Sequence, residues 1–202
     1  MLREIRPALV LLVAMTLITG LAYPLALTKI AGLLFPHQAS GSLIERDGKV
    51  IGSALIGQEF AGDGYFHGRP SATTAADPND ASKTLAAPYN AINSAGSNLG
   101  PTNKTLIERV QGDVDKWKQQ NPAAAIPIDL VTTSGSGLDP HITPDAAFFQ
   151  VPRVAKARNM PEDRVRQLVN ERTEGRMLGL LGEPRVNVLE LNLALDREVA
   201  RD

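Results

Sequence analysis

The sequence predicts an α+β protein: a single N-terminal transmembrane helix followed by one mixed α/β extramembrane domain. Three observations carry that reading. Residues 7–28 form a run of 22 without a charge. Asp47-Gly48 separates two short segments of strand character. Beyond residue 100, helical stripes and short apolar runs alternate with turn residues.

The apolar run comes first. About 20 apolar residues at about 1.5 Å each cross a hydrocarbon core of about 30 Å. A cleaved signal peptide has an apolar region of about 7–15 residues that ends in small residues. This run is longer, and it ends Tyr23-Pro24-Leu25-Ala26-Leu27 with no A-x-A step, so it reads as an uncleaved anchor. The expected organisation is a short N-terminus at 1–6, a transmembrane helix at 7–30, a connector at 31–41 and a soluble domain at 42–202. Arg3 and Arg6 lie on the short side of the span. The positive-inside rule then keeps the N-terminus in the cytoplasm and places the C-terminal domain outside it. Thr16 and Gly20 are four residues apart, and small residues at that spacing allow close helix packing. The run carries no intramembrane charge, so an ion path would have to come from another subunit.

Composition narrows the function classes. The formal net charge is −1, which gives no footprint for nucleic acid. There are no cysteines, hence no disulfide framework and no thiolate metal site. His37, His67 and His141 are far apart and show no ligand spacing, so no metal site is expected.

The remaining elements follow in order. Strands are expected at 42–46 and 49–56, joined by Asp47-Gly48 in a type I′ turn. Residues 57–100 are rich in Gly, Pro, Ser, Ala and Asn and hold no period. They read as a long loop docked through Tyr65, Phe66 and Tyr89, with 73–87 its flexible piece. A helix is expected at 103–120, with Leu106, Ile107, Val110, Val114 and Trp117 on one stripe, Thr102 as N-cap and Asn121-Pro122 as terminator. Residues 126–132 read as a short buried strand. Thr143-Pro144-Asp145 opens a helix that Pro152 should break. Pro161 begins another helix, with Val165, Leu168 and Val169 on its apolar face. Residues 186–193 alternate like a half-buried strand. The sum is three or four strands with three helices.

Three patterns bear on chemistry. Ser134-Gly135-Ser136-Gly137 lies between the expected strand and helix, where backbone N–H groups can cradle an anion. No Lys-Ser/Thr pair follows, so it is not a P-loop, and Asp139 beside it opposes an anion; as pattern it reads as a structural turn. Residues 152–169 have the outline of a helix-turn-helix, but the neutral charge argues for helices packed on a sheet. Ser, His and Asp occur without a nucleophile elbow, so an anchored cell-envelope enzyme is the remote reading.

Several blocks together resemble the C subunit of the bacterial Kdp potassium-transporting ATPase. They are YFHGRPSA at 65–72, SNLGPTN at 97–103, SGSGLDPHITP at 134–144, QVPRVAKAR at 150–158 and VNVLELNLALD at 186–196. The resemblance implies a non-catalytic subunit of a high-affinity potassium uptake pump in the bacterial inner membrane. It implies three partners: a potassium-channel-like subunit, a P-type ATPase subunit and a small membrane peptide. No tightly bound cofactor is implied. Two roles follow from the family: holding the assembly together, or raising the ATP affinity of the ATPase subunit as a catalytic chaperone. For the second, Ser134, Gly135, Ser136 and Gly137 match the nucleotide-contacting loop. The charge pattern places that loop outside the cytoplasm, away from ATP, which favours the first. Two departures stand out. Ser94-Ala95-Gly96 replaces a paired-glycine turn, so a positive φ at Ala95 would be strained, and 77–83 looks like a local insertion.

Overall fold

The structure, a computed structural model, describes residues 2–199. It divides into two compact units, with the boundary after Ser53.

The first unit opens with a long apolar rod. α1 (Leu2–Leu17) runs into a π-helical turn at Ile18–Ala22 and then α2 (Tyr23–Leu34). The stretch Arg3–Leu34, 32 residues, is long and apolar enough to span a membrane. Pro24 accounts for the widened turn. A proline has no N–H, and its ring would crowd the carbonyl four residues back, at Gly20. The Tyr23 N–H instead reaches the carbonyl of Ile18. Thr19 and Thr28 return their hydroxyls to the carbonyls of Met15 and Pro24, at 2.7 and 2.8 Å. The segment expected as connector is helical for most of its length, through Leu34 and again in α3 (Pro36–Ala39).

The expected hairpin follows. β1 (Leu43–Arg46) and β2 (Lys49–Ser53) pair antiparallel, with Arg46 opposite Lys49. Asp47 and Gly48 carry φ of 53° and 72°, as a type I′ turn requires. β2 ends at Ser53, short of the expected 56.

The second unit departs from expectation at several places. The segment 73–87, expected to be flexible, is a hairpin of β3 (Thr74–Asp77) and β4 (Asp80–Ala86). Its turn is set by Pro78 and by Asp77, whose carboxylate accepts the Asn79 N–H at 2.8 Å. α4 (Lys104–Gln120) forms as expected, but Asn103 is its N-cap, not Thr102; the Asn103 side chain accepts from Thr105 N–H. Ile107 leaves the predicted stripe and is 55% exposed, while Trp117 is buried. Residues 126–132 are not a strand. Pro127 leads into a 3-10 turn at Ile128–Leu130, and the Leu130 carbonyl is taken by Trp117 Nε1 at 3.0 Å.

β5 (His141–Ile142) precedes α5 (Pro144–Arg158), whose N-cap is Thr143. Pro152 does not break α5. An interior proline costs about 3 kcal/mol, and the fully buried Val151 and Val154 beside it, with Ala155, offset that. α5 ends at Asn159 in the left-handed conformation, φ 55°. α6 (Glu162–Glu171) buries Val165, Leu168 and Val169 as expected. β6 (Thr173–Glu174) and β7 (Arg185–Asn187) complete the sheet. The strand expected at 186–193 survives only as β7; the rest is α7 (Val188–Val199). The Asn187 side chain accepts the Glu190 N–H at 3.1 Å and so starts the helix. Val188, Leu191, Asn192 and Leu195 then fall at helical spacing and are buried.

The three short strands pair antiparallel in the order β5-β7-β6. Phe66, Trp117, Leu130, Phe149, Val165 and Leu195 belong to one apolar core that α4 to α7 share. α5 and α6 pack on each other; α5 also lies against β7, as the sheet-packing reading of 152–169 expects, whereas α6 lies against α7.

Candidate functional site

The block 65–72 is irregular chain, and buried side chains hold it residue by residue. Arg158 clamps the first residue: its Nε donates to the Gly64 carbonyl and its guanidinium lies 4.5 Å from the centre of the Tyr65 ring. Asp196 anchors Arg158 at 2.9 Å. Asn192, fully buried in α7, serves the second. Its Oδ1 accepts from Phe66 N–H at 2.8 Å and its Nδ2 donates to the Phe66 carbonyl at 2.9 Å. Gln150, fully buried in α5, does the same for His67, at 2.8 and 3.1 Å. Each amide therefore acts as a missing neighbouring strand for one residue. That explains why the block needs α5 and α7.

From Gly68 onward the block meets the Gly/Ser loop. Ser71 Oγ donates to the Gly137 carbonyl at 2.7 Å and accepts the Tyr89 N–H at 3.0 Å. Tyr89 hydroxyl donates to the Arg69 carbonyl at 2.7 Å. Thr73 Oγ1 donates to the Ala87 carbonyl at 2.6 Å, which closes the β3–β4 hairpin. From the segment just before the 97–103 block, Ala95 N–H and Ser94 Oγ both donate to the Ser136 carbonyl, at 2.9 and 3.0 Å. Gly137 has φ of +68°, and a Cβ there would stand 2.6 Å from the Ala95 carbonyl oxygen. Gly96 lies equally close to the other side of the loop: a Cβ there would be 2.9 Å from the Gly135 oxygen. Ala95 itself is absent from the positive-φ residues, so the replaced paired-glycine turn is built without strain there.

Arg69 and Asp139 form the ionic centre of this junction, 3.2 Å apart. Arg69 also donates to the carbonyls of Thr132 and Thr133 at 3.4 and 3.3 Å. Burial alone would raise the Asp139 carboxyl, but hydrogen bonds from His141 and the Arg69 charge outweigh it and hold it below its usual value. Burial, with the Asp139 charge, pushes the Tyr89 phenol up to about 12. Tyr89 is thus a neutral donor at any physiological pH. Burial and the Arg153 charge keep the His67 imidazole below its usual value.

Beside the junction runs an open cleft of about 560 Å³. Phe60, Arg69, Tyr89, Ser97, Arg109 and Lys116 are among the residues that line it. Arg109 is held by Asp113 at 2.6 Å and by the Val131 carbonyl at 3.3 Å, and its buried Nε has no hydrogen-bond partner in the protein. Cations and carboxylates nearly balance along this wall, which suits polar contact more than capture of a free anion.

The predicted site residues have distinct fates. Ser134 and Gly137 are buried in the junction, whereas Gly135 and Ser136 are exposed at its tip. No strand leads into the loop, and α5 begins only after residues 138–143 intervene. The N-terminus of α5 is also occupied: the Asp129 carboxylate accepts the Thr143 N–H at 2.7 Å. Thr16 lies in α1 and Gly20 within the π turn; both are exposed on the apolar rod. Among the described residues, no group of three or more His, Asp or Glu could hold a metal. Tyr89 docks its loop as expected, whereas sequence reasoning missed Gln150 and Asn192 as organisers. Gln150 and Asn192 were polar residues on helical faces that are otherwise apolar, which was a usable signal.

Residues 5–197 match the family described as K+-transporting ATPase, c chain (KdpC). Curated relatives cover essentially the whole chain. A "Potassium-transporting ATPase KdpC subunit" of Bradyrhizobium diazoefficiens is 74% identical over 201 residues, 100% of both chains. One of Methylorubrum extorquens is 71% identical over 195 residues, 96% of this chain and 97% of its own. One of Rhodopseudomonas palustris is 68% identical over 201 residues, again 100% of both.

Proposed function

This chain belongs to the KdpC family of K+-transporting ATPase c chains, and from that premise we propose that it is an accessory subunit of an ATP-driven potassium uptake pump. In this reading it does no chemistry of its own. One apolar helix anchors it in the bacterial inner membrane, and its C-terminal domain, outside the cytoplasm, braces a potassium-channel-like subunit and a P-type ATPase subunit. A small membrane peptide accompanies them. The observation that carries the reading is the stitched junction. Residues 65–73, 87–96 and 132–141, three separate loops, are locked by Arg69–Asp139, Ser71, Tyr89 and Gly137 into a fixed surface. Preorganised loops of this kind bind without a large ordering cost. The test is affinity purification of the tagged full chain from membranes. Recovery of a channel-like and an ATPase subunit is expected; a chain that comes out folded and alone would end the proposal.

A second reading, direct contact with ATP, rests on one observation. Gly135 and Ser136 are exposed at the tip of the loop, and a Cβ at Gly135 would touch nothing within 4 Å. Topology decides between the two. The chain has no cysteine of its own, so Ser136→Cys reports cleanly in intact cells. Labelling by an impermeant thiol reagent puts the tip outside and removes ATP from its reach. Labelling only after permeabilisation would reverse the order of the two readings.

A further inference from the structure

The connection between β6 and β7 is a long hairpin whose tip shows apolar side chains to solvent. Met177 N–H donates to the Leu181 carbonyl at 2.9 Å, and Leu181 N–H returns to the Met177 carbonyl at 3.0 Å. Met177, Leu178, Leu180 and Leu181 are 69, 87, 80 and 62% exposed. Single exposed leucines are ordinary, but four large apolar residues at one tip are not. The tip is also held in shape. Leu178 has φ of 54°, a costly conformation for a leucine, flanked by Gly179 at 74° and Gly182 at 81°. Two ion pairs close the hairpin stem, Arg176–Glu183 at 2.7 Å and Arg185–Glu174 at 2.9 Å.

We infer that this tip is a plug that seats in an uncharged apolar socket on another protein subunit of the same assembly. The inference deepens the accessory-subunit reading and rests on it. The charge and composition of the hairpin select a protein over a lipid surface. A membrane-inserting loop needs unpaired cations for anionic headgroups and Trp or Tyr for the interface. Residues 172–185 contain no aromatic residue. Of the arginines at 172, 176 and 185, two are spent on Glu183 and Glu174. The rim around the plug is therefore largely self-neutralised, and its socket is expected to be rimmed without a strong charge. A fixed turn with a leucine at positive φ also fits a shaped recess, whereas fluid acyl chains have no shape to match.

The test places a photoreactive benzophenone amino acid at Leu180 in the full chain and illuminates native membranes. The control carries the same group at Lys118, an exposed position of α4. The expected result is a covalent adduct, identified by mass spectrometry as a co-purifying subunit of the ATPase, at least about tenfold above the control. An adduct with lipid only, with a second copy of this chain, or at the control level would overturn the inference. A second variant, Leu178→Gly with Leu180→Ser, keeps the turn, because glycine accepts the positive φ. It should lower recovery of the partner subunits at least about tenfold, a floor well beneath what two buried leucines contribute, while the level of the chain itself is unchanged. Undiminished recovery would also overturn the plug. If the unsubstituted chain retrieves its partners and these variants do too, only the plug falls. If the unsubstituted chain retrieves none, the accessory-subunit reading falls and takes the plug with it.

Discussion

The strip at 65–67 and the tip at 177–181 are held in opposite ways. The strip has no regular hydrogen-bonding neighbour, yet Phe66 is fully buried and two buried amides complete its backbone. The tip is regular enough to form a bridge between Met177 and Leu181, yet its side chains bury nothing. Regular backbone and buried side chains are thus separate properties. The domain spends its costly buried polar groups on the strip, because an unpaired buried N–H or C=O costs about 1–3 kcal/mol. It spends only surface ion pairs on the tip. What must stay together within the chain is welded, and what is offered outward is merely propped.

Substitutions can break or sharpen this contrast. The largest effect is expected from Asn192→Leu, which strips both partners from Phe66. The loss should be about 3 kcal/mol, read as a lower urea midpoint for the full chain in detergent; an unchanged midpoint would show that the strip is not welded there. Gly137→Ala comes next. It meets the Ala95 carbonyl and a φ that is costly for alanine, and should cost about 2 kcal/mol. Gly135→Ala, two residues away with open space around it, should melt like the unsubstituted chain; equal damage from both would refute the packing described here.

The third effect depends on pH. His67 is held below its usual value of 6.5 by burial and by Arg153. As pH falls through 6.5 the unfolded chain takes a proton that the folded domain refuses, so stability is full above that pH and declines below it. The decline stops once the folded imidazole also protonates. His67→Gln should flatten the stability profile as pH falls through 6.5; an identical slope in the variant would remove His67 as its source. The smallest effect is expected at the tip's stem. Arg185→Ala breaks an ion pair whose side chains are more than half exposed. It should shift stability by about 0.5 kcal/mol or less, and a loss several times larger would mean the stem is as welded as the strip.

Much of this was legible in the residues, and what was not has a common cause. The apolar span, the Asp47-Gly48 hairpin, the α6 face and the Thr143-Pro144 helix start are local features, set by neighbours three or four residues away. The β3–β4 hairpin was hidden because Ala75, Ala76 and Lys83 have weak strand propensity. Residues 186–193 alternate in polarity, but Asn187 caps a helix, and helical burial of Val188, Leu191 and Leu195 overrides the alternation. Pro152 was misjudged because its local penalty is outweighed by packing that only the folded core supplies. The junction was half legible. Gly137 announced itself within the Gly/Ser run, but its reason lies in Ala95 and Thr73, far away in the chain. The amide clamps join residues 83 and 126 positions apart, a separation that no periodicity can report.

The π turn at Ile18–Ala22 has a consequence for how the membrane segment meets its neighbours. A five-residue turn inserts one extra residue into the helical count, which advances every later side chain by about 100° relative to an unbroken α-helix. Heptad phase kept from Pro7 expires at Ile18 and restarts at Tyr23. A helix that lies against Leu9, Val13 and Leu17 along one meridian will not find its continuation at the positions that simple counting assigns. The two halves of the span present independent stripes, and two different neighbours, or one neighbour that itself bends, can be served by a single membrane crossing.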